Sequence, residues 1–149
     1  MKKQFIFILG LLFMTLMQNS KANTDTTEMM LQITNIDHAR GGNIIVYIFE
    51  KDGFPKKHDK AILTQTKSAD ASSLTFTFAI KPEVIAVKVL HDEDMDGKVT
   101  KNWSGIYPKE GLGFTNKQKV SFTGPPKYRK SKVTKESYKN GLTISIIYP

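Results

Sequence analysis

Leu74-Thr75-Phe76-Thr77-Phe78-Ala79-Ile80 alternates large apolar residues with small or polar ones at every step. Successive side chains of an extended chain point to opposite faces, so Leu74, Phe76, Phe78 and Ile80 share one face and Thr75, Thr77 and Ala79 the other. On its C-terminal side, Lys81-Pro82-Glu83 ends the strand, because Pro82 has no N–H to give to a ladder. Val84 to Leu90 then runs almost without a break in apolar, β-branched residues, as expected of a strand in the middle of a sandwich. On its N-terminal side, Ala61 to Thr66 is a weaker strand, and Lys51-Asp52-Gly53-Phe54-Pro55 has the residues of a turn. Leu31 to Ile36 alternates and Ile44 to Phe49 is apolar throughout. These two are expected to pair as a hairpin across Arg40-Gly41-Gly42-Asn43. Leu142 to Tyr148 alternates again, and Val120 to Thr123 and Tyr128 to Thr134 are lesser strand candidates.

Beyond the N-terminal apolar run, no segment sustains a 3.6-residue apolar period. About seven short strands separated by turn residues predict an all-β fold: a single antiparallel β-sandwich of immunoglobulin-like or transthyretin-like type. An up-and-down barrel is the alternative.

The N-terminus reads as an address. Met1-Lys2-Lys3 is positive, Phe5 to Met17 is apolar apart from Gly10 and Thr15, and Ser20-Lys21-Ala22 gives a small-x-small cleavage pattern. A secretory signal peptide over residues 1–22 is expected, cut after Ala22. The apolar run is shorter than the ~20 residues that cross a bilayer. The expected product therefore has no transmembrane anchor and is periplasmic or secreted. Residues 23–28 are expected to be a disordered lead-in, and 29–149 the domain.

Composition narrows the possible partners. The chain has no cysteine, so no disulfide can staple it in an oxidising compartment. Losing Lys2, Lys3 and Lys21 lowers the formal net charge from +8 to +5. In a cytosolic protein that balance would suggest nucleic acid, but export removes that partner. An envelope polysaccharide or another envelope protein is then the candidate partner, beside plain solubility, the commonest reason for such a charge. The basic stretch Lys127, Arg129, Lys130, Lys132, Lys135 and Lys139 could face it, although a solvated face is the simpler account.

One segment carries chemistry. In His91-Asp92-Glu93-Asp94-Met95-Asp96-Gly97-Lys98-Val99, aspartates recur at alternate positions ahead of a glycine. Hard cations such as Ca²⁺ take several oxygens, and spaced carboxylates converge on one where a glycine permits a sharp turn. Asp92, Asp94, Asp96 and the Lys98 backbone carbonyl match the first half of an EF-hand loop. The second half departs, with Thr100 at the ninth position and Trp103 at the twelfth, and a strand precedes the loop instead of a helix. The missing ligand would come from Asn102 or Glu110. The competing reading is a solvated acidic turn in which Lys98 and Lys101 offset the repulsion.

Asn102 to Asn116 continues as a long loop containing Trp103, Tyr107 and Phe114. These aromatics are ligand-surface candidates, or else plugs for the open end of the sandwich. An enzyme would have to recruit His91, Asp92 and Glu110 as acid and base, the alternative being a small periplasmic hydrolase. No nucleophile motif accompanies them. His38 and His58 stand alone and are expected to be solvated.

The run from His91 to Val99, with Asn102, Gly105-Ile106, Pro108-Lys109-Glu110-Gly111 and Gly113-Phe114-Thr115-Asn116, resembles the signature of the DUF2141 family of exported bacterial proteins of unknown function. The similarity runs from the Ile33 strand and Gly41-Gly42-Asn43-Ile44, through Pro125-Pro126-Lys127-Tyr128, to the last strand. Tyr107 stands inserted in what is usually a Gly-Ile-Pro run, and Thr100 stands where an acidic residue is common. The resemblance implies an exported β-sandwich with no assigned activity.

Overall fold

The computed structural model describes residues 25–149, and the expected signal peptide lies outside them. Eight strands are present among the described residues: β1 (Thr27–Thr34), β2 (Asn43–Phe49), β3 (Leu63–Ser68), β4 (Leu74–Ile80), β5 (Val84–Asp92), β6 (Leu112–Phe114), β7 (Val133–Thr134) and β8 (Leu142–Ser145). Two single-turn helices, α1 (Tyr128–Ser131) and α2 (Lys135–Tyr138), flank β7. β1 takes in Thr27 and Glu28, the last two residues of the expected lead-in.

The strands form two sheets, β4-β1-β8 and β3-β2-β5-β6, with β7 paired to β5 beyond the end of β6. Every pairing is antiparallel except that of β1 with β8, which is parallel, Leu31 opposite Leu142 and Ile33 opposite Ile144. The two sheets meet where Leu112 and Ile147 exchange both backbone hydrogen bonds, at 3.0 and 2.8 Å. At the other side, the side chains of Gln65 and Lys67 on β3 donate to the backbone carbonyls of Thr77 and Thr75 on β4.

The expected hairpin between the first two strands does not form. β1 pairs with β4 and β8, whereas β2 pairs with β3 and β5 in the other sheet. The difference follows from how each strand is patterned. β1 alternates buried and exposed residues, which suits a sheet with one wet face. β2 is buried from Ile44 to Phe49 and needs cover on both faces, so it lies inside the larger sheet.

Its inner residues Ile44, Val46 and Ile48 join Met29, Leu31, Phe76, Phe78, Ile80, Ile85, Val87 and Val89 in the core between the sheets. Its outer residues Ile45, Tyr47 and Phe49 join Leu90, Leu112 and Phe114 in a second cluster, roofed by Phe54, Ala61, Val99 and Val120 from the loops. That second cluster is the floor of the site described below.

β6 is a strand where a loop was expected. Gly111 and Gly113 face the core, where an added Cβ would lie 2.5 Å from the Tyr148 ring and 2.6 Å from Ile144. Leu112 and Phe114 point the opposite way. Of the two lesser strand candidates, Val120 to Thr123 forms no strand. Tyr128 to Thr134 yields α1 and only the two residues of β7.

Candidate functional site

The side-chain alternation of β5 divides its C-terminal half between two surfaces. Val87, Val89 and His91 point to the core, and Lys88, Leu90 and Asp92 point to the outer face. His91 is fully buried, with Nδ1 2.7 Å from the Tyr148 hydroxyl and Nε2 2.6 Å from the Gly41 carbonyl. Both ring nitrogens are therefore engaged by the fold. His91 and Asp92 lie on opposite faces of one strand, so the trio with Glu110 forms no acid–base constellation.

Beyond Asp92 the chain coils around its own carboxylates. Asp92 accepts the N–H groups of Asp96 at 3.2 Å and Gly97 at 3.0 Å. Asp94 accepts the Asp96 N–H and, at 2.9 Å, the Thr100 hydroxyl. Asp96 accepts the Lys98 N–H at 2.7 Å. Met95 at φ 58° and Gly97 at φ 73° supply the left-handed turns that make this coil possible. One carboxylate oxygen from each of Asp92, Asp94 and Asp96 lies within 4.8 Å of the others. A carboxylate has about four acceptor positions, so each keeps lone pairs for a cation.

Glu110, 3% exposed, clasps the coil to the next loop by accepting the N–H groups of Glu93 at 3.0 Å and Thr100 at 2.8 Å. It is not part of the converging trio. Asn102 spends its oxygen on Ser104 and on the Tyr107 N–H, within its own turn. Burial raises Asp92 and Glu110 above the usual carboxylate range, against the lowering effect of the backbone N–H groups that each accepts. The Thr100 hydroxyl holds Asp94 below it. The charge on Glu93 is met by Arg40, 3.0 Å away and stacked 4.6 Å over the Tyr148 ring.

Residues 100–109 make a small hairpin, with Lys109 N–H bonded to Thr100 and Asn102 N–H to Tyr107. The three aromatics of this region separate. Trp103, expected to plug the sandwich or join a stacking surface, is 98% exposed at the hairpin tip. Tyr107 packs edge-on against Phe122 with centroids 6.0 Å apart. Phe114 is buried in the floor of the outer cluster.

Between this hairpin, the turn at Pro55 and the outer face of β5 and β6 lies a cleft of about 490 Å³. Val99, Leu112, Phe114 and Val120 give it an apolar floor. Phe122 at 95% and Ile106 at 65% exposure stand at its mouth. Lys56, Lys98 and Lys101 also line it, and among the described residues no carboxylate does.

Lys88 lies at the cleft, 4% exposed. Its Nζ is 3.1 Å from the Pro55 carbonyl and 2.6 Å from His58 Nε2. An ammonium only donates, so His58 accepts at Nε2 and carries its proton at Nδ1, 3.3 Å from the Gly97 carbonyl. The imidazole stacks on Tyr47 at 4.1 Å, and Tyr47 in turn donates to Gly97 at 3.4 Å. His58 is therefore held by the cleft, contrary to the expectation of a solvated residue, while His38 is exposed as expected. Burial and the Lys88 charge both lower the pKa of His58.

Lys88 and Tyr47 are not singled out in the sequence, and His58 reads there only as a lone, solvated residue. The signal was there, since Val84-Ile85-Ala86-Val87-Lys88-Val89-Leu90 is an apolar run broken by one charge. In the basic C-terminal stretch, Lys135 pairs with Glu83 and Lys139 with Glu136.

Burial pushes Lys88 down to about 8, with Glu110 opposing the shift. Below its unfolded value of 10.5 and above about 8, the folded chain holds fewer protons than the unfolded one, so stability rises with pH across that window. His58, Tyr47 and Glu110 are the other titratable groups around it. We expect Lys88→Met to flatten the rise, by on the order of 3 kcal/mol between pH 7 and 10.5. Urea denaturation of the two proteins at several pH values measures it, and parallel curves would contradict a buried, charged Lys88.

Comparison with known proteins finds a family model, described as an uncharacterized protein conserved in bacteria (DUF2141), that matches residues 31–141. The match runs from the middle of β1 past α2 and stops short of β8. No curated protein and no solved structure matches the chain.

Proposed function

From the premise that the chain belongs to the DUF2141 family, whose description assigns no activity, we propose that it is an exported, non-catalytic binding module of the bacterial envelope. In this reading the Asp92, Asp94 and Asp96 loop takes Ca²⁺ and thereby fixes one wall of the ligand cleft. The observation that carries it is the double use of the loop. Asp92 holds the Gly97 N–H at 3.0 Å, and the Gly97 carbonyl holds His58 and Tyr47, which sit against Lys88. An ion that tightens the loop therefore tightens the cleft.

The donor set is all oxygen, as a hard cation requires. The Lys98 carbonyl could add to the three aspartates, and so could Glu110 in preference to Asn102, whose oxygen is engaged in its own turn, with water completing the shell. No helix among the described residues is long and apolar enough to cross a membrane. Export is supported by the sequence pattern of residues 1–22, and extracellular Ca²⁺ modules work at dissociation constants of ~10⁻⁴ to 10⁻³ M.

Thermal unfolding of the protein lacking residues 1–22, in 10 mM calcium and in chelator, tests the proposal. A site of that affinity adds ~1.5 to 3 kcal/mol to the folded state, a rise in melting temperature on the order of 5 to 10 °C. Identical melting curves would return the loop to an acidic turn.

A further inference from the structure

Lys88 carries a charge that no ion pair among the described residues meets, Glu110 acting on it only from beyond ion-pair distance. The side chain is 4% exposed, and among the described residues no carboxylate lies within ion-pair distance of it. Its two close partners, the Pro55 carbonyl and His58, are neutral, and they take two of its three N–H donors. A buried ammonium without a counter-ion costs stability, which favours an anion supplied from outside.

Its surroundings describe the rest of that anion. The cleft floor beside Lys88 is aliphatic and aromatic, and Phe122 and Ile106 hold large apolar surfaces in water at its mouth. Its volume lies within the ~300 to 1,000 Å³ usual for small-molecule sites. The charges lining it are all lysines. One buried cation beside one neutral imidazole suits a single negative charge better than the two of a phosphate monoester.

We propose that the cleft binds a monocarboxylate on an aliphatic chain, a ligand of the fatty-acid type. The carboxylate takes the third donor of Lys88, and the chain lies over Val99, Leu112, Phe114 and Val120 under the flap made by Phe122 and Ile106. The proposal rests on the binding-module reading above and names its ligand, but it does not require calcium.

The test is displacement of 11-(dansylamino)undecanoate, followed by its fluorescence, from the protein lacking residues 1–22. Dodecanoate is expected to displace the probe at concentrations at least about tenfold lower than dodecanol, the preference that a charge-assisted hydrogen bond gives. Lys88→Met, confirmed as folded by circular dichroism, is expected to bring acid and alcohol level, and Lys88→Arg to keep most of the preference.

Absence of probe binding, equal displacement by acid and alcohol in the parent, or a preference that survives Lys88→Met would each overturn the proposal. Displacement by millimolar inorganic phosphate would overturn it too, by making the site one for small anions. The parent comparison needs no variant, so a Lys88→Met protein that fails to fold leaves the test intact. Loss of the calcium shift with the acid preference retained would sink the calcium reading alone, and the reverse result would sink only the ligand assignment.

Discussion

Changing Gly42 to alanine should lower the melting temperature by on the order of 15 °C, whereas the same change at Gly41 should lower it by about 5 to 10 °C. Both glycines have positive φ, 68° at Gly41 and 72° at Gly42, so either substitution is strained, by ~1 to 2 kcal/mol, and Gly41 with ψ −152° lies in a region that essentially only glycine adopts. They differ in what the new methyl group meets. At Gly41 nothing lies within 4 Å. At Gly42 the added Cβ would sit 2.2 Å from the Asp92 carbonyl oxygen and 2.7 Å from the Glu93 Cα.

Those are backbone atoms and cannot swing aside as a side chain can. The end of β5 would have to move away from β2, adding ~2 to 3 kcal/mol of overpacking. Because the displaced backbone begins the acidic loop, Gly42→Ala should also weaken the calcium response, and Gly41→Ala should not. Melting curves of the two variants with and without calcium measure both effects. Equal losses at the two positions would mean that the close approach of Gly42 to β5 does not exist in solution.

The second large effect concerns Asp92, and its sign depends on the ion. In chelator, Asp92→Asn should be at least as stable as the parent. In 10 mM calcium it should be less stable, by up to the 5 to 10 °C that the parent is expected to gain. Burial pushes the Asp92 carboxylate up from its usual range, and Asp94 and Asp96 push in the same direction, so without a cation its charge is a cost to the fold. Asparagine removes that cost and keeps one oxygen for the Asp96 or Gly97 N–H. It also removes the most buried of the three converging carboxylates, 2% exposed. An aspartate that served only to shape a turn would lose stability in both media. A crossing of the parent and variant curves between chelator and calcium is therefore diagnostic, and parallel curves would argue for a simple acidic turn.

Much of the architecture was written in local patterns. The alternation of β4, the unbroken apolar run of β5 and the doubly buried β2 could be seen because burial imposes a period on each strand separately. Partner choice leaves no such trace. Nothing local in Leu31 to Ile36 says that it lies beside β8 more than a hundred residues later, so the nearest strand was taken as its partner. β6 was missed because Gly111 and Gly113 carry turn residues into a strand. Their reason is distant, in Ile144, Ile146 and Tyr148, which leave no room for a Cβ.

The site divides in the same way. The aspartate spacing was legible because Asp92, Asp94 and Asp96 lie on one loop. The cleft was not, because Pro55 and His58, Lys88, and Phe122 come from three separate segments. Of the two readings open for Trp103, the plug fails because burial of large aromatics is a tendency of residue types, and a hairpin tip can override it.

The parallel contact between β1 and β8 has a bearing on the order of events as the chain acquires its shape. β1 is the first strand to become available to a chain that enters a compartment N-terminus first, and β8 is the last. Until Leu142 arrives, the smaller sheet is only the β1–β4 pair, with one edge open and Ile33 lacking its neighbour Ile144. Contacts that span nearly the whole domain close late, because the loop entropy must be met before they give anything back. A chain with this topology cannot complete its smaller sheet early. Its larger sheet can assemble first, and the fold is finished only once its last strand is at hand.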